Sequence, residues 1–174
     1  VFFLSFSAVY AQIPETIFSE DWESGPGNWT ISNGVWEVGF PSAGPGDCRV
    51  EGSAACAGTV LDDNYPGDTD SQLISAPIQL PTVSPGEQIS LSFWQWFSFA
   101  GCDEGFVQIS VWDQSTSTWS AWTNLDGTMV NNSPWSRRLN DLTSYAGEIV
   151  RIAFYHTART GGICSSSSTG WYVD

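Results

Sequence analysis

Leu91-Ser92-Phe93-Trp94-Gln95-Trp96-Phe97-Ser98-Phe99 is the stretch on which the fold turns. Successive side chains of a β-strand project to opposite faces. Leu91, Phe93, Phe97 and Phe99 therefore share one face, and Trp94 and Trp96 the other. Two further stretches repeat the pattern. In 106–112, Val107, Ile109 and Val111 oppose Phe106, Gln108 and Trp112. In 149–156, Val150, Ile152 and Phe154 oppose Arg151 and Tyr155. The aliphatic and phenyl faces suit a core between two sheets. If these strands are neighbours, Trp94, Trp96, Trp112, Tyr155 and Arg151, with Gln108, form one aromatic face with a few polar groups. Such a face is a candidate binding surface for a sugar or a peptide. The competing expectation is that long loops fold over it, because large aromatics are usually mostly buried.

Outward from these three strands the chain keeps one character. Short runs rich in β-branched and aromatic residues alternate with Gly, Pro, Asn and Ser clusters. The expected strands are 16–22, 28–38, 71–80, 88–99, 105–113, 119–124, 135–141, 147–156 and 170–174. No stretch sustains an apolar period of 3.6, so few or no helices are expected. Nine or so strands with long loops imply an all-β, two-sheet antiparallel jelly-roll sandwich, concanavalin-like or galactose-binding-like.

The chain has 174 residues, which is one domain's worth. Its charge is lopsided: 19 acidic residues face five arginines and no lysine, for a net charge of -14. A surface of that sign repels phosphate backbones and anionic lipid, which argues against nucleic-acid and membrane partners. Ten Trp, ten Phe and five Tyr supply ample surface to bury, which argues against disorder. Residues 1–11, VFFLSFSAVYA, read as the end of a secretory signal with a cut before Gln12. The run is too short to span a bilayer. The domain is then 12–174. The final apolar residues Gly170 to Asp174 break off without a closing turn, so the chain is read as a C-terminally truncated piece of a larger polypeptide with further domains. A secreted or cell-surface location follows from the leader.

Four cysteines in that setting suggest two disulfides, with three possible pairings. Cys48 and Cys56 lie close together in a Gly/Ala-rich stretch, and Cys102 and Cys164 each precede an expected strand. The preferred pairing is 48–56 with 102–164. A zinc site is disfavoured, because there is no Cys-x-x-Cys and His156 is the only histidine.

Six stretches, in order, resemble a known group of secreted modules. Phe18-Ser19-Glu20-Asp21-Trp22-Glu23, with Asn28-Trp29-Thr30, is similar to an opening "E-D-F-E" strand. Trp36-Glu37-Val38-Gly39-Phe40-Pro41 resembles a "W-x-x-G-x-P" turn. Gly58-Thr59-Val60-Leu61, with Asn64-Tyr65-Pro66, resembles a "G-T-x-L-x-x-x-Y" loop. Ser71 to Ile78 resembles an "L-x-S-P-x-I" strand, although Pro77 follows Ala76 rather than Ser75. Asp141 to Gly147 resembles a "D-L-S-x-Y-A-G" turn before a "V-x-I-x-F" strand, here Val150 to Phe154. Gly170 to Asp174 resembles the closing strand. The chain thus resembles the MAM-like jelly rolls of bacterial surface proteins. This group includes cleaved-adhesin and choice-of-anchor domains and the jelly-roll module of immune-inhibitor-A-like peptidases. The resemblance spans about 15–174 and implies the fold more than the function.

That resemblance also implies a structural calcium ion. In similar jelly rolls the first and last strands pair and hold calcium with a loop acid. Glu23, Asp70 and Asp174 are the implied ligands, with Asp21 next. Calcium takes six to eight hard oxygens, and carboxylates crowded without a cation repel one another. Asp62, Asp63 and Asp68 add acids to the same loop as Asp70. Asp103-Glu104 reads as a turn.

Catalysis is disfavoured. Glu20-Asp21-Trp22-Glu23 faintly resembles the acidic strand of concanavalin-like glucanases, but it lacks their E-x-D-x-x-E spacing. A serine triad needs a histidine, and His156 reads as a satisfied, half-buried residue in the core-facing phase of Phe154. No Gly-x-Ser-x-Gly occurs. Arg137-Arg138 is read as neutralised by acidic neighbours, and Ser165 to Ser168 as a loop. Asn28-Trp29-Thr30 and Asn131-Asn132-Ser133 match the glycosylation pattern. The expected function is a non-catalytic extracellular binding or adhesion module, calcium-stabilised, whose partner is a carbohydrate or a cell-surface or matrix protein. The alternatives are an accessory domain of a secreted peptidase and, less favoured, a glycoside hydrolase.

Overall fold

The computed structural model describes residues 15–48, 55–164 and 167–174. The expected leader 1–11 and part of the 165–168 serine run lie outside the described residues. The strands are β1 (Thr30–Ser32), β2 (Trp36–Gly39), β3 (Cys56–Thr59), β4 (Asp70–Ile74), β5 (Ile78–Gln79), β6 (Ser90–Ser98), β7 (Glu104–Asp113), β8 (Thr118–Trp119), β9 (Thr123–Asn124), β10 (Asn132–Asp141), β11 (Ile149–Thr157) and β12 (Gly170–Val173). Thr143–Tyr145 forms a single 3-10 turn.

All pairings are antiparallel, and they make two sheets. One runs β1-β4-β11-β7-β8, with β5 on β11 and β9 on β7. The other runs β10-β6-β12-β3-β2. This is the expected jelly-roll sandwich. The two-residue alternation holds where it was read. Phe93, Phe97 and Phe99 from one sheet meet Val107, Ile109, Val150, Ile152 and Phe154 from the other in a single buried core. Trp171 is fully buried at its centre, edge-on to Phe154 and Phe99 and 5.6 Å from Trp36. Gln95 shares the core phase, and its amide oxygen accepts from the Trp171 indole N–H at 3.2 Å.

Four expected strands differ. The 71–80 strand is interrupted at 75–77 and forms β4 and β5. Residues 16–22 form no strand; Trp22 takes a positive φ of 61° and tucks its ring into the core. The expected 28–38 strand breaks at Asn33, whose φ is 52°, and its halves enter different sheets as β1 and β2. The 119–124 strand is two short strands, β8 and β9. One strand was missed: β3, Cys-Ala-Gly-Thr, is buried throughout.

Both disulfides have the preferred pairing, Cys48–Cys56 and Cys102–Cys164. The first fastens the loop before β3 to that strand. The second links the β6–β7 crossing to the β11–β12 crossing at one end of the sandwich.

Candidate binding faces

The topology separates the residues expected to share one aromatic face. Trp94 and Trp96 lie on β6, in the five-stranded sheet. Trp112, Tyr155, Arg151 and Gln108 lie on β7 and β11, in the seven-stranded sheet. Both sets point away from the core, so they occupy opposite outer faces of the sandwich. The single face is therefore corrected to two.

On the five-stranded sheet, Trp96 pairs across the strands with Tyr172, and Trp94 with Arg137. Directly opposed residues of an antiparallel pair share a face. Half of this face is sealed. Tyr172 is fully buried, with its ring held between two glycines. A Cβ on Gly44 would lie 2.4 Å from it, and one on Gly58 2.8 Å. Gly44 belongs to the loop at 41–47, which is anchored by the Ser42 and Ala43 N–H groups donating to the Leu61 carbonyl. The Tyr172 hydroxyl donates to the Val60 carbonyl at 3.0 Å, and burial pushes its pKa up to about 12.

The other half is open. Trp96 packs edge-on against Tyr172 at 5.6 Å and is half-buried, as is Trp94. Arg137 is exposed beside Trp94 and donates from Nε and Nη2 to the Ser92 hydroxyl. Leu139, one pair further along, is 66% exposed. Only Arg138 of the basic pair meets an acid: its Nε donates to Asp126 at 2.7 Å, and Asn140 donates to the same oxygen.

On the seven-stranded sheet, Phe106 and Tyr155 stack at 5.8 Å. Burial first, and then the Asp70 carboxylate bonded to it, push the Tyr155 hydroxyl up. Next along the face, Gln72 donates to Gln108, which donates to Asn124. Arg151 follows. Its guanidinium sits 3.9 Å above Trp119 and 5.2 Å from Trp122. Trp112 meets Trp119 edge-on at 5.2 Å. Beside Trp112 is a shallow open depression with Asp113, Ser120 and Glu148 on its walls. Trp119 and Trp122 went unremarked in the sequence. Their signal was the Thr-Trp-Ser-Ala-Trp spacing after Trp112.

The four acids implied as calcium ligands are not gathered. Asp70 sits on β4 in the seven-stranded sheet, and Asp174 follows β12 in the five-stranded one. The expected first strand, 16–22, which carries Asp21, is not formed. Asp21 accepts its own turn's Glu23 N–H, and Glu23 accepts the Ala55 N–H at 3.0 Å. Among the described residues, no three His, Cys, Asp or Glu side chains are grouped as a metal requires. Asp68 instead accepts two hydrogen bonds from Thr160, which lower its pKa.

The Glu20 carboxylate, considered for catalysis, has structural partners. Glu20 accepts the Trp22 N–H and the Trp29 indole N–H. Asp103 closes the 100–103 turn, its N–H donating to the Ala100 carbonyl, and is buried there: it is 1% exposed and accepts from the Tyr65 hydroxyl at 2.6 Å and the Arg159 N–H at 3.0 Å. His156 is fully buried between Tyr65 and Phe99, with neither ring nitrogen hydrogen-bonded. It is not the satisfied, half-buried histidine expected, and burial pushes its pKa down to about 4.

No protein-family model matches the sequence, and no curated protein is similar enough in sequence to count as a relative. Solved structures are similar in fold. The K2 cleaved adhesin domain of Lys-gingipain superposes with a TM-score of 0.57 at 18% identity, over 90% of this chain and 93% of that one. The K1 cleaved adhesin domain of Lys-gingipain from Porphyromonas gingivalis W83 does so with a TM-score of 0.51 at 20% identity, over 91% and 94%. A family 22 carbohydrate-binding module of Clostridium thermocellum Xyn10B superposes more loosely, with a TM-score of 0.48 at 14% identity over 92% and 93%. At such identities the likeness is one of fold. It is the fold that the resemblance to cleaved adhesins implies.

Proposed function

We propose that this chain is a non-catalytic extracellular binding module that takes a neutral carbohydrate on the open half of its five-stranded sheet. One observation carries the proposal. Trp94 and Trp96 lie side by side on a sheet face whose other half is sealed over Tyr172. The apolar face of a pyranose stacks on indole, and polar neighbours set its orientation. Arg137 and Ser92 offer donors beside Trp94.

Two disulfides fit an oxidising, extracellular setting. The adhesin domains of similar fold fit a binding role. The lone histidine is enclosed in the core, where it cannot serve a serine nucleophile. Rigidity of the face rests on the sheet and the Cys48–Cys56 clip. Calcium is not part of this proposal.

The test is a panel of neutral oligosaccharides probed with the wild-type chain and with Trp94→Ala and Trp96→Ala. Each variant should bind about tenfold more weakly, the scale of one lost aromatic stack. A ligand bound equally by all three proteins would overturn the proposal.

A further inference from the structure

Arg151 is a cation in a setting that this proposal does not use. It projects from near the start of β11 on the outer face of the seven-stranded sheet, opposite Ser110. Its guanidinium stacks on Trp119 and borders Trp122. Its Nε is covered and has no hydrogen-bond partner. Among the described residues the ion pair that forms is Arg138 with Asp126. A chain with 19 acids thus leaves this guanidinium on indole rings without a carboxylate.

That is an informative exception. Buried donors are almost always met. A guanidinium on an aromatic face is held flat, and its N–H fork matches the two oxygens of a carboxylate. The surroundings narrow the ligand further. Indole faces suit the apolar side of a sugar ring. Ala153, two residues along the same face, is paired with Gln108, whose amide lies in the row from Gln72 to Asn124. Such amides suit sugar hydroxyls. The net charge of -14 repels a densely charged polymer. Charges beyond about 8 Å are largely screened at physiological salt, so the distant acids weigh little on a single acidic unit.

From these features we infer that Arg151, framed by Trp119 and Trp122, is a second ligand site that takes the carboxylate of an isolated uronate sugar. The site is on the opposite side of the sandwich from Trp94 and Trp96 and shares no residue with them. Failure of one site is therefore distinguishable from failure of the other.

The experiment follows the Arg151 Nε–H and the Trp119 and Trp122 indole N–H signals of nitrogen-15-labelled protein. The probes are methyl glucuronide, methyl glucoside and acetylglycine. Methyl glucuronide should shift all three signals and saturate. Methyl glucoside should bind at least about tenfold more weakly, for want of the charged pair. Arg151→Gln should abolish glucuronide binding, and Arg151→Lys should weaken it about tenfold, because a point charge lacks the fork. No shift with glucuronide would overturn the site. Equal binding of glucoside, or a glutamine variant that still binds glucuronide, would overturn the carboxylate assignment. Acetylglycine binding as tightly as glucuronide would overturn the sugar assignment. The probe comparison uses the wild-type chain alone and so does not depend on a variant folding.

Discussion

The two outer faces of this sandwich are built from the same strand alternation and end up with different chemistry. On the five-stranded sheet, a glycine-bearing loop presses onto Tyr172 and leaves Trp94 and Trp96 half-exposed beside an exposed arginine. On the seven-stranded sheet, the short strands β8 and β9 lay Trp119 and Trp122 around Arg151. One face is shaped by a cover fastened with a disulfide. The other is shaped by a cation that the acidic chain does not neutralise. An aromatic row becomes a particular kind of surface through the loops that border it.

The largest effect should strike both faces together. The Cys102–Cys164 bond joins the crossings between the sheets across a separation of 62 residues. Replacing both cysteines with serine should cost about 4 kcal/mol in the chain-entropy account, against about 2.5 kcal/mol for the Cys48–Cys56 clip. Urea unfolding of the two double variants measures the difference. The reverse order would show that the local clip holds more than its own loop.

Acid should come next, again acting on both faces through the shared core. His156 has a folded pKa of about 4, below the ordinary value near 6.5. Above pH 6.5 both states are neutral and nothing changes. Between 6.5 and 4 the unfolded chain binds a proton that the folded chain refuses, so stability falls as pH falls. Below 4 both are protonated and the loss levels off. The loss from this one group should reach roughly 3 kcal/mol. His156→Gln should flatten the stability profile over that window, as followed by denaturant midpoints from pH 7 to pH 4. A profile unchanged by the substitution would contradict the buried, unpartnered ring.

A smaller effect should separate the faces. Gly44→Ala places a Cβ against the Tyr172 ring at a φ of +63°. It should destabilise by about 2 kcal/mol, within the range for overpacking, and lift the cover from one face only. Hydrogen exchange should quicken at Ser42 and Ala43 and stay unchanged at Ser110 and Arg151. The smallest effect should be Trp119→Ala, which removes the stack under Arg151 and should cost about 1 kcal/mol.

How much of this was legible in the sequence depended on what each residue reports. The alternation in β6, β7 and β11 reported side-chain phase correctly, because each of those strands has one buried and one outward face. Phase does not name a strand's neighbours, so Trp94 and Trp112 were assigned to one surface although their strands lie in different sheets. β3 was invisible because its Ala-Gly-Thr is selected for small size. Gly58 lets the Tyr172 ring lie on the strand, and such residues carry little strand propensity. The break at Asn33 needs a positive φ, to which Asn-Gly is suited but which it does not compel. The disulfides were readable from spacing and local composition. The burial of His156 followed from its phase with Phe154; the lack of a partner did not.

On the two proposals together, the faces are separate sites with separate ligands. The direct measurement is a pair of titrations, one with a neutral oligosaccharide that binds the wild-type chain and one with methyl glucuronide. Each is run on the Trp94→Ala/Trp96→Ala double variant and on Arg151→Gln. A crossed result is expected. The tryptophan variant loses the neutral ligand and keeps the glucuronide, while the arginine variant does the opposite. If either variant loses both ligands while its fold and stability are retained, the faces are not independent and the account is wrong.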